Sequence, residues 1–167
     1  MKVSKILVPL DGSPLAEAAL RPAVDLASSL GASVLLLRAA EAHGVPGSDP
    51  AEAQVKVVRE AEEYLDSVKR RFRGGVKAGM TTSVWYGTPA QAIAEAARVN
   101  QVDMIIMTTH GRSGLGRMLL GSVTESVLRG TPTPILVFHP DAAPLQAPRG
   151  QSRPAWTGSS APAKGTP

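Results

Sequence analysis

Short apolar runs alternate along this chain with longer stretches whose apolar residues recur at helical spacing. Lys5 to Leu10 is a compact apolar run closed by Pro9 and Asp11, which predicts a strand. Ser13-Pro14 then supplies an N-cap followed by proline at the first helical position. Ala16, Ala19, Leu20, Ala23, Val24, Ala27 and Leu30 repeat at helical spacing as far as Gly31, so one helix is expected over that span. Glu17, Arg21 and Asp25 occupy another face of it at i, i+4 intervals. Ser33 to Ala39 is leucine-rich and too short to stand as a helix between two breakers, and reads as a second strand.

Glu41 to Pro50, with Gly44, Pro46, Gly47 and Pro50, has the composition of a loop that follows a strand and covers a site. From about Ala51 to Phe72 the pattern predicts an amphipathic helix, with Val55, Val58, Leu65, Val68 and Phe72 on one stripe and Gly74-Gly75 as its stop. Thr81 to Tyr86 is rich in β-formers. Thr88-Pro89-Ala90-Gln91 carries a capping box with proline at the first helical position, so a helix is expected from near Pro89 to Asn100. A strand then begins at about Asp103, and its apolar run to Met107 suits burial on both faces of a parallel sheet.

The segment after Met107 carries the candidate chemistry. Gly111, Gly114, Gly116 and Gly121 leave room for close backbone approach, while Arg112 and Arg117 add positive charge. Ser122 followed by Glu125 is a second capping box, which predicts a helix over about Ser122 to Arg129. Unpaired amides and the positive dipole end at a helix start favour an anion, so the segment reads as a phosphate cradle. Gly130, Pro132 and Pro134 precede a last apolar run, Ile135 to Phe138, and prolines at a strand's start fit a sheet edge. Strand and helix in strict alternation predict an α/β fold with a parallel sheet.

Thr108-x-x-Gly111, nine residues, then Gly121-Ser122 resembles the nucleotide signature of the universal stress protein family, Gly-x-x-Gly, nine residues, then Gly-Ser or Gly-Thr. Thr108 stands where that signature has its first glycine. The likeness extends from Lys5-Ile6-Leu7-Val8-Pro9-Leu10-Asp11-Gly12-Ser13 to Thr131-Pro132-Thr133-Pro134-Ile135-Leu136-Val137. The resemblance implies a Rossmann-like, five-stranded parallel sheet in the order 3-2-1-4-5 with helices on both faces, formed by residues 1–140. It implies ATP as ligand, with Mg2+ arriving on the phosphates. The site it implies comprises Pro9, Leu10, Asp11, Ala39, Met107, Thr108, Gly111, Arg112, Gly121, Ser122, Val123 and Thr124. In that reading Asp11 meets the ribose, the backbone at Ala39 reads the adenine edge, and the amides of the glycine-rich loop and the following helix hold the phosphates. A side chain at Thr108 either crowds the ribose or turns its hydroxyl aside.

Each of these residues also has a plainer role. Asp11 can brace a turn or cap a helix, Ser122 and Glu125 can serve only as a cap, and Gly111 and Gly121 can be turn glycines. The joint pattern in a strand-loop-helix frame is what favours a nucleotide.

The chain has 167 residues, enough for one domain, and only two Trp, two Tyr and two Phe, so its core must be aliphatic. Cys is absent, which excludes disulfides, thiol catalysis and Cys-ligated metal sites. Asp11 ends the first apolar run too early for a signal peptide, and no stretch has membrane-spanning length, so a cytoplasmic protein with no membrane contact is expected. The formal charge is +4, with Lys69-Arg70-Arg71 and Arg73 as the densest basic cluster. No stacking aromatics accompany it, and cations suit a helix C-terminus, so no nucleic-acid partner is expected. From Asp141 on, the composition shifts to Pro, Ala, Gly and Ser, and residues 141–167 are expected to form a disordered tail.

Catalysis finds little support in the sequence. His43, His110 and His139 show no metal-ligand spacing, and neither a Walker P-loop nor a Gly-x-Ser-x-Gly elbow is present. The leading expectation is therefore an ATP-binding stress or signalling protein with at most weak or partner-dependent hydrolysis. It is expected to pair as a homodimer through Ile135 to Phe138, because an exposed edge strand needs cover. The alternative is a dimeric interaction scaffold of the same fold that binds no nucleotide, for which Thr108 is the direct support. An enzyme of the related adenine-nucleotide hydrolase-like folds ranks last, because the opening strand lacks a Ser-Gly-Gly-x-Asp-Ser type loop.

Overall fold

The computed structural model describes residues 2–41, 49–72, 74–109 and 121–139. In chain order they form β1 (Lys5–Pro9), α1 (Pro14–Glu17), α2 (Leu20–Leu30), β2 (Ser33–Ala40), α3 (Pro50–Arg71), β3 (Met80–Tyr86), α4 (Pro89–Val99), β4 (Met104–Thr108), α5 (Ser122–Gly130) and β5 (Ile135–Phe138). The strands make one sheet in the order β3-β2-β1-β4-β5, and every pairing is parallel. The expected domain boundary after residue 140 and the tail beyond it lie outside the described residues.

Alternate residues of each inner strand feed two cores. Ile6, Val8, Leu36 and Ile106 point to the side covered by α2 and α3, where Leu20, Val24, Leu65 and Val68 meet them. Leu7, Leu35, Leu37 and Ile105 point to the opposite side, against Ile93 and Ala96 of α4 and Val127 of α5. Burial on both faces is why these strands read as unbroken apolar runs rather than alternating ones.

Four expectations are corrected. The single helix after β1 is two, because Pro22 has no amide for the Ala18 carbonyl and its ring crowds that carbonyl. The chain tightens there, with the Ala19 amide reaching back only three residues to the Ala16 carbonyl at 3.1 Å. Val55 leaves the apolar stripe and is 68% exposed, while Ala61, Leu65 and Val68 are buried. The reason is length: a 22-residue helix spans roughly 33 Å, more than the strands it packs on, so its first turns overhang the sheet. Pro50, expected in the preceding loop, is the first residue of α3, and the Asp49 side chain accepts from the Ala51 amide at 2.9 Å.

The fourth correction concerns the two capping boxes. The N-cap of α5 is Gly121, with φ 81°, and no side chain caps the helix. Positive φ is strained for a side-chain residue, so the turn enters the helix through glycine and Ser122 becomes its first residue. Glu125, expected to reach back to that start, instead pairs with Arg129 at 2.7 Å. At α4 the N-cap is Thr88 as expected, yet its hydroxyl donates to Gln91 Oε1 at 2.8 Å and caps no amide.

The N-terminal ends of the central strands are locked by Asp103, whose Oδ2 accepts from the Ser4 and Lys5 amides at 2.8 and 2.9 Å. Those two amide bonds hold its carboxyl below the usual carboxylate range. Lys5 Nζ completes the lock by donating to the Asn100 carbonyl at 2.8 Å.

Candidate functional site

The chain leaves β1 toward α2 on one face and reaches β5 from β4 through α5 on the other, so neighbouring connections diverge between β1 and β4. Such a divergence opens a crevice at the carboxyl ends of the strands. A cleft of about 190 Å³ lies there. Pro9, Leu10 and Asp11 line it from the end of β1, Ala39 from β2, Met107 and Thr108 from β4, and Val123 and Thr124 from α5. Eight of the residues expected from the sequence therefore share one cleft. Gly121 and Ser122 directly precede the α5 pair. Gly111 and Arg112 lie outside the described residues, as do His43, His110 and residues 42–48 of the expected covering loop.

Five lining residues were not expected: Ser13, Leu15 and Ala16 at the start of the first helix, and Pro89 and Ile93 on α4. The available signal was topological. In a parallel sheet every strand-to-helix turn emerges at the same end, so Pro89 after β3 had to stand near that rim.

Asp11 is exposed, and its Oδ1 accepts from the Ser13 amide at 2.8 Å. Ser13 Oγ in turn accepts from the Ala16 amide at 3.1 Å, capping α1. The plain turn-bracing role thus occupies one carboxylate oxygen, and Oδ2 has no partner among the described residues. Gly12, at φ 88°, makes the tight turn possible and lies against the Arg38 guanidinium, which a Cβ there would meet at 3.5 Å. Thr108 Oγ1 donates to the Leu15 carbonyl at 2.8 Å, so its hydroxyl is turned aside onto α1.

The α5 end of the cleft presents the opening turn of a helix with no side-chain cap. Thr124 is the buried polar residue among the described residues, and its hydroxyl makes no hydrogen bond among them. Glu125 would oppose an anion at this helix start, but Arg129 offsets its charge. Asp11 is the one titratable side chain among the described lining residues. No group of three or more metal-ligating side chains gathers among the described residues.

A second hollow of about 230 Å³ lies between α3 and β3 at the other side of the sheet. Glu62 and Asp66 line it, and two carboxylates there disfavour a phosphate ligand.

The model of the universal stress protein family matches residues 2–139. Universal stress protein MJ0531 of Methanocaldococcus jannaschii is 34% identical over 139 residues, covering 80% of this chain and 80% of that protein. The solved structure of MJ0577 from the same organism is 29% identical, with a TM-score of 0.71 over 83% of this chain and 97% of that one. A more distant structure shares the fold at 14% identity, with a TM-score of 0.58 over 81% of this chain and 91% of its own. It is a universal stress protein family protein, At3g01520, from Arabidopsis thaliana with AMP bound. The chain belongs to the universal stress protein family.

Proposed function

We propose that this protein binds ATP, with Mg2+ carried on the phosphates, in the cleft between β1 and β4, and that occupancy signals a stress state to a partner. The observation that carries this reading is the uncapped start of α5 beside a mostly apolar cleft. Amides of a first helical turn that no side chain satisfies are a ready anion site. Pro9, Ala39, Ile93 and Met107 supply flat apolar contact suited to a base, and the free oxygen of Asp11 can accept from a ribose hydroxyl. A cleft of about 190 Å³ is smaller than the roughly 300 Å³ and more of whole-ligand pockets, so it suits the nucleoside, with the phosphates lying outward along α5. AMP in the Arabidopsis thaliana relative supports an adenine nucleotide as the ligand class.

With Asp11 as the one carboxylate on the described walls, Mg2+ would arrive on the phosphates and keep most of its waters. In this reading Asp11, the one titratable side chain on the described walls, is taken up by the ribose, and we assign no more than weak or partner-dependent hydrolysis. We further propose a cytoplasmic homodimer, free of nucleic acid and membrane, that pairs through Ile135 to Phe138. Ile135, Leu136 and Val137 are half-buried on an edge strand, and no helix among the described residues is long and apolar enough to cross a membrane. The scaffold alternative drew on Thr108, and the bond from Thr108 to Leu15 weakens that support by turning the hydroxyl away from a ligand.

Titration calorimetry of nucleotide-stripped protein with Mg-ATP tests the reading. Saturable heat at micromolar to millimolar ligand is expected, and none at millimolar ligand refutes it. A nucleotide released from freshly purified protein, identified by mass spectrometry, would separate the ATP reading from the scaffold reading.

A further inference from the structure

The four residues of α1 are too few to hold themselves in helical form, so this wall of the cleft depends on its attachments. Ser13 caps its start. Glu17, at its end, accepts from Tyr64 at 2.9 Å and pairs with Arg71 at 2.8 Å, which ties α1 to α3 on the side away from β4. On the cleft side α1 is held by the bond from Thr108 Oγ1 to the Leu15 carbonyl, at 2.8 Å and partly buried. Among the described residues that carbonyl otherwise receives the Ala18 amide, at 3.2 Å, which it shares with the Pro14 carbonyl.

We propose that Thr108 is a positioning residue: its hydroxyl straps α1 to the end of β4 across the mouth of the cleft and so sets the spacing at which Leu15 and Ala16 face Met107 and Val123. A glycine in this position offers no such strap. Threonine here therefore replaces a permissive backbone site with a fixed wall, and the free protein already holds the spacing that a bound nucleoside requires. Preorganisation of this kind raises affinity by raising the fraction of molecules that are competent to bind. The affinity part of this inference rests on the nucleotide reading above, while the strap itself does not.

Two variants separate the hydroxyl from the bulk of the side chain. Thr108→Val keeps the shape and removes the donor, whereas Thr108→Ser keeps the donor and removes the methyl group. Amide hydrogen exchange on ligand-free protein is the first readout. Amides Ala16 to Ala19 should exchange faster in Thr108→Val and at the wild-type rate in Thr108→Ser. Equal rates in all three proteins, or equal acceleration in both variants, would overturn the strap. Mg-ATP calorimetry is the second readout. Loss of one hydrogen bond's worth of ordering weakens binding by about five-fold in Thr108→Val, with Thr108→Ser staying within about two-fold of wild type. Wild-type affinity in Thr108→Val would overturn the positioning role. If the wild type itself gives no heat while the exchange contrast stands, the nucleotide reading fails and the strap survives as a structural bond.

Discussion

The Tyr64 hydroxyl on α3 donates to Glu17 Oε1 on α1 at 2.9 Å, which joins a wall of the cleft to the long helix that covers the same side of the sheet. The Arg38 guanidinium lies 4.8 Å from the centre of the Tyr64 ring and also packs against the Gly12 turn. Burial first, and then the bond to the Glu17 carboxylate, push the Tyr64 hydroxyl's pKa well above its ordinary 10.0. A raised folded-state pKa means that this contribution is fully present below the ordinary tyrosine value and is lost as pH climbs toward the folded one. Wild-type protein should therefore lose stability above about pH 10 more steeply than Tyr64→Phe. At neutral pH the variant should be less stable by about 1 kcal/mol, for one partly exposed hydrogen bond. Denaturant titrations at neutral and alkaline pH would check both.

At the other end of the sheet the sign reverses. The Ser4 and Lys5 amides lower the Asp103 pKa, so its contribution is present above the ordinary carboxylate range and disappears as pH falls through the depressed value. Asp103→Asn should lower Tm at neutral pH and flatten the acid limb of the stability profile, with the difference from wild type shrinking as pH falls below about 4. Parallel Tm profiles for the two proteins down to pH 2 would count against the lock.

On α3, burial rather than apolar character decides which residue matters. Leu65 is fully buried, and Leu65→Ala should cost about 2–4 kcal/mol of unfolding free energy, as large-to-small core changes do. Val55, 68% exposed on the overhang, should tolerate the same change to within about 0.5 kcal/mol. Urea unfolding of both variants tests whether the first turns of α3 leave the sheet.

Asp11 has two roles that a pair of substitutions can divide. Asn in its place retains an oxygen for the Ser13 amide but lacks the charge, so Asp11→Asn should weaken Mg-ATP binding by roughly ten-fold, as for loss of a charge-assisted hydrogen bond, with little change in Tm. Asp11→Ala also removes the turn brace and should cost about 1 kcal/mol of stability. Calorimetry alongside thermal melts resolves the two effects.

For the edge strand, Val137→Lys should convert a dimer to a monomer, because a lysine on an edge is how strands are kept from pairing. Sedimentation of both proteins at tens of micromolar provides the comparison, and a wild-type monomer would remove the dimer proposal.

The local sequence by itself determined the elements. The apolar runs of β1, β2 and β4 and the helical repeats between them are visible because these strands are buried on both faces and each long helix on one, and the shorter run of β5 reads as a strand at the half-buried edge, so composition and spacing report burial directly. The order 3-2-1-4-5 came from resemblance, since periodicity carries no information about which strands become neighbours. The break before α2 is carried by Pro22 within the repeating alanines, whose helical spacing alone does not show it. Tertiary structure alone decided that the α5 turn enters through Gly121 and leaves Ser122 uncommitted, that α3 outruns the sheet and exposes Val55, that Pro89 and Ile93 join the cleft, and that the Thr108 hydroxyl turns to Leu15. The physical reason is common to all four. Hydrophobic patterning acts over a few residues, whereas the direction of a hydrogen bond and the lining of a crevice depend on groups that meet only after distant segments have packed.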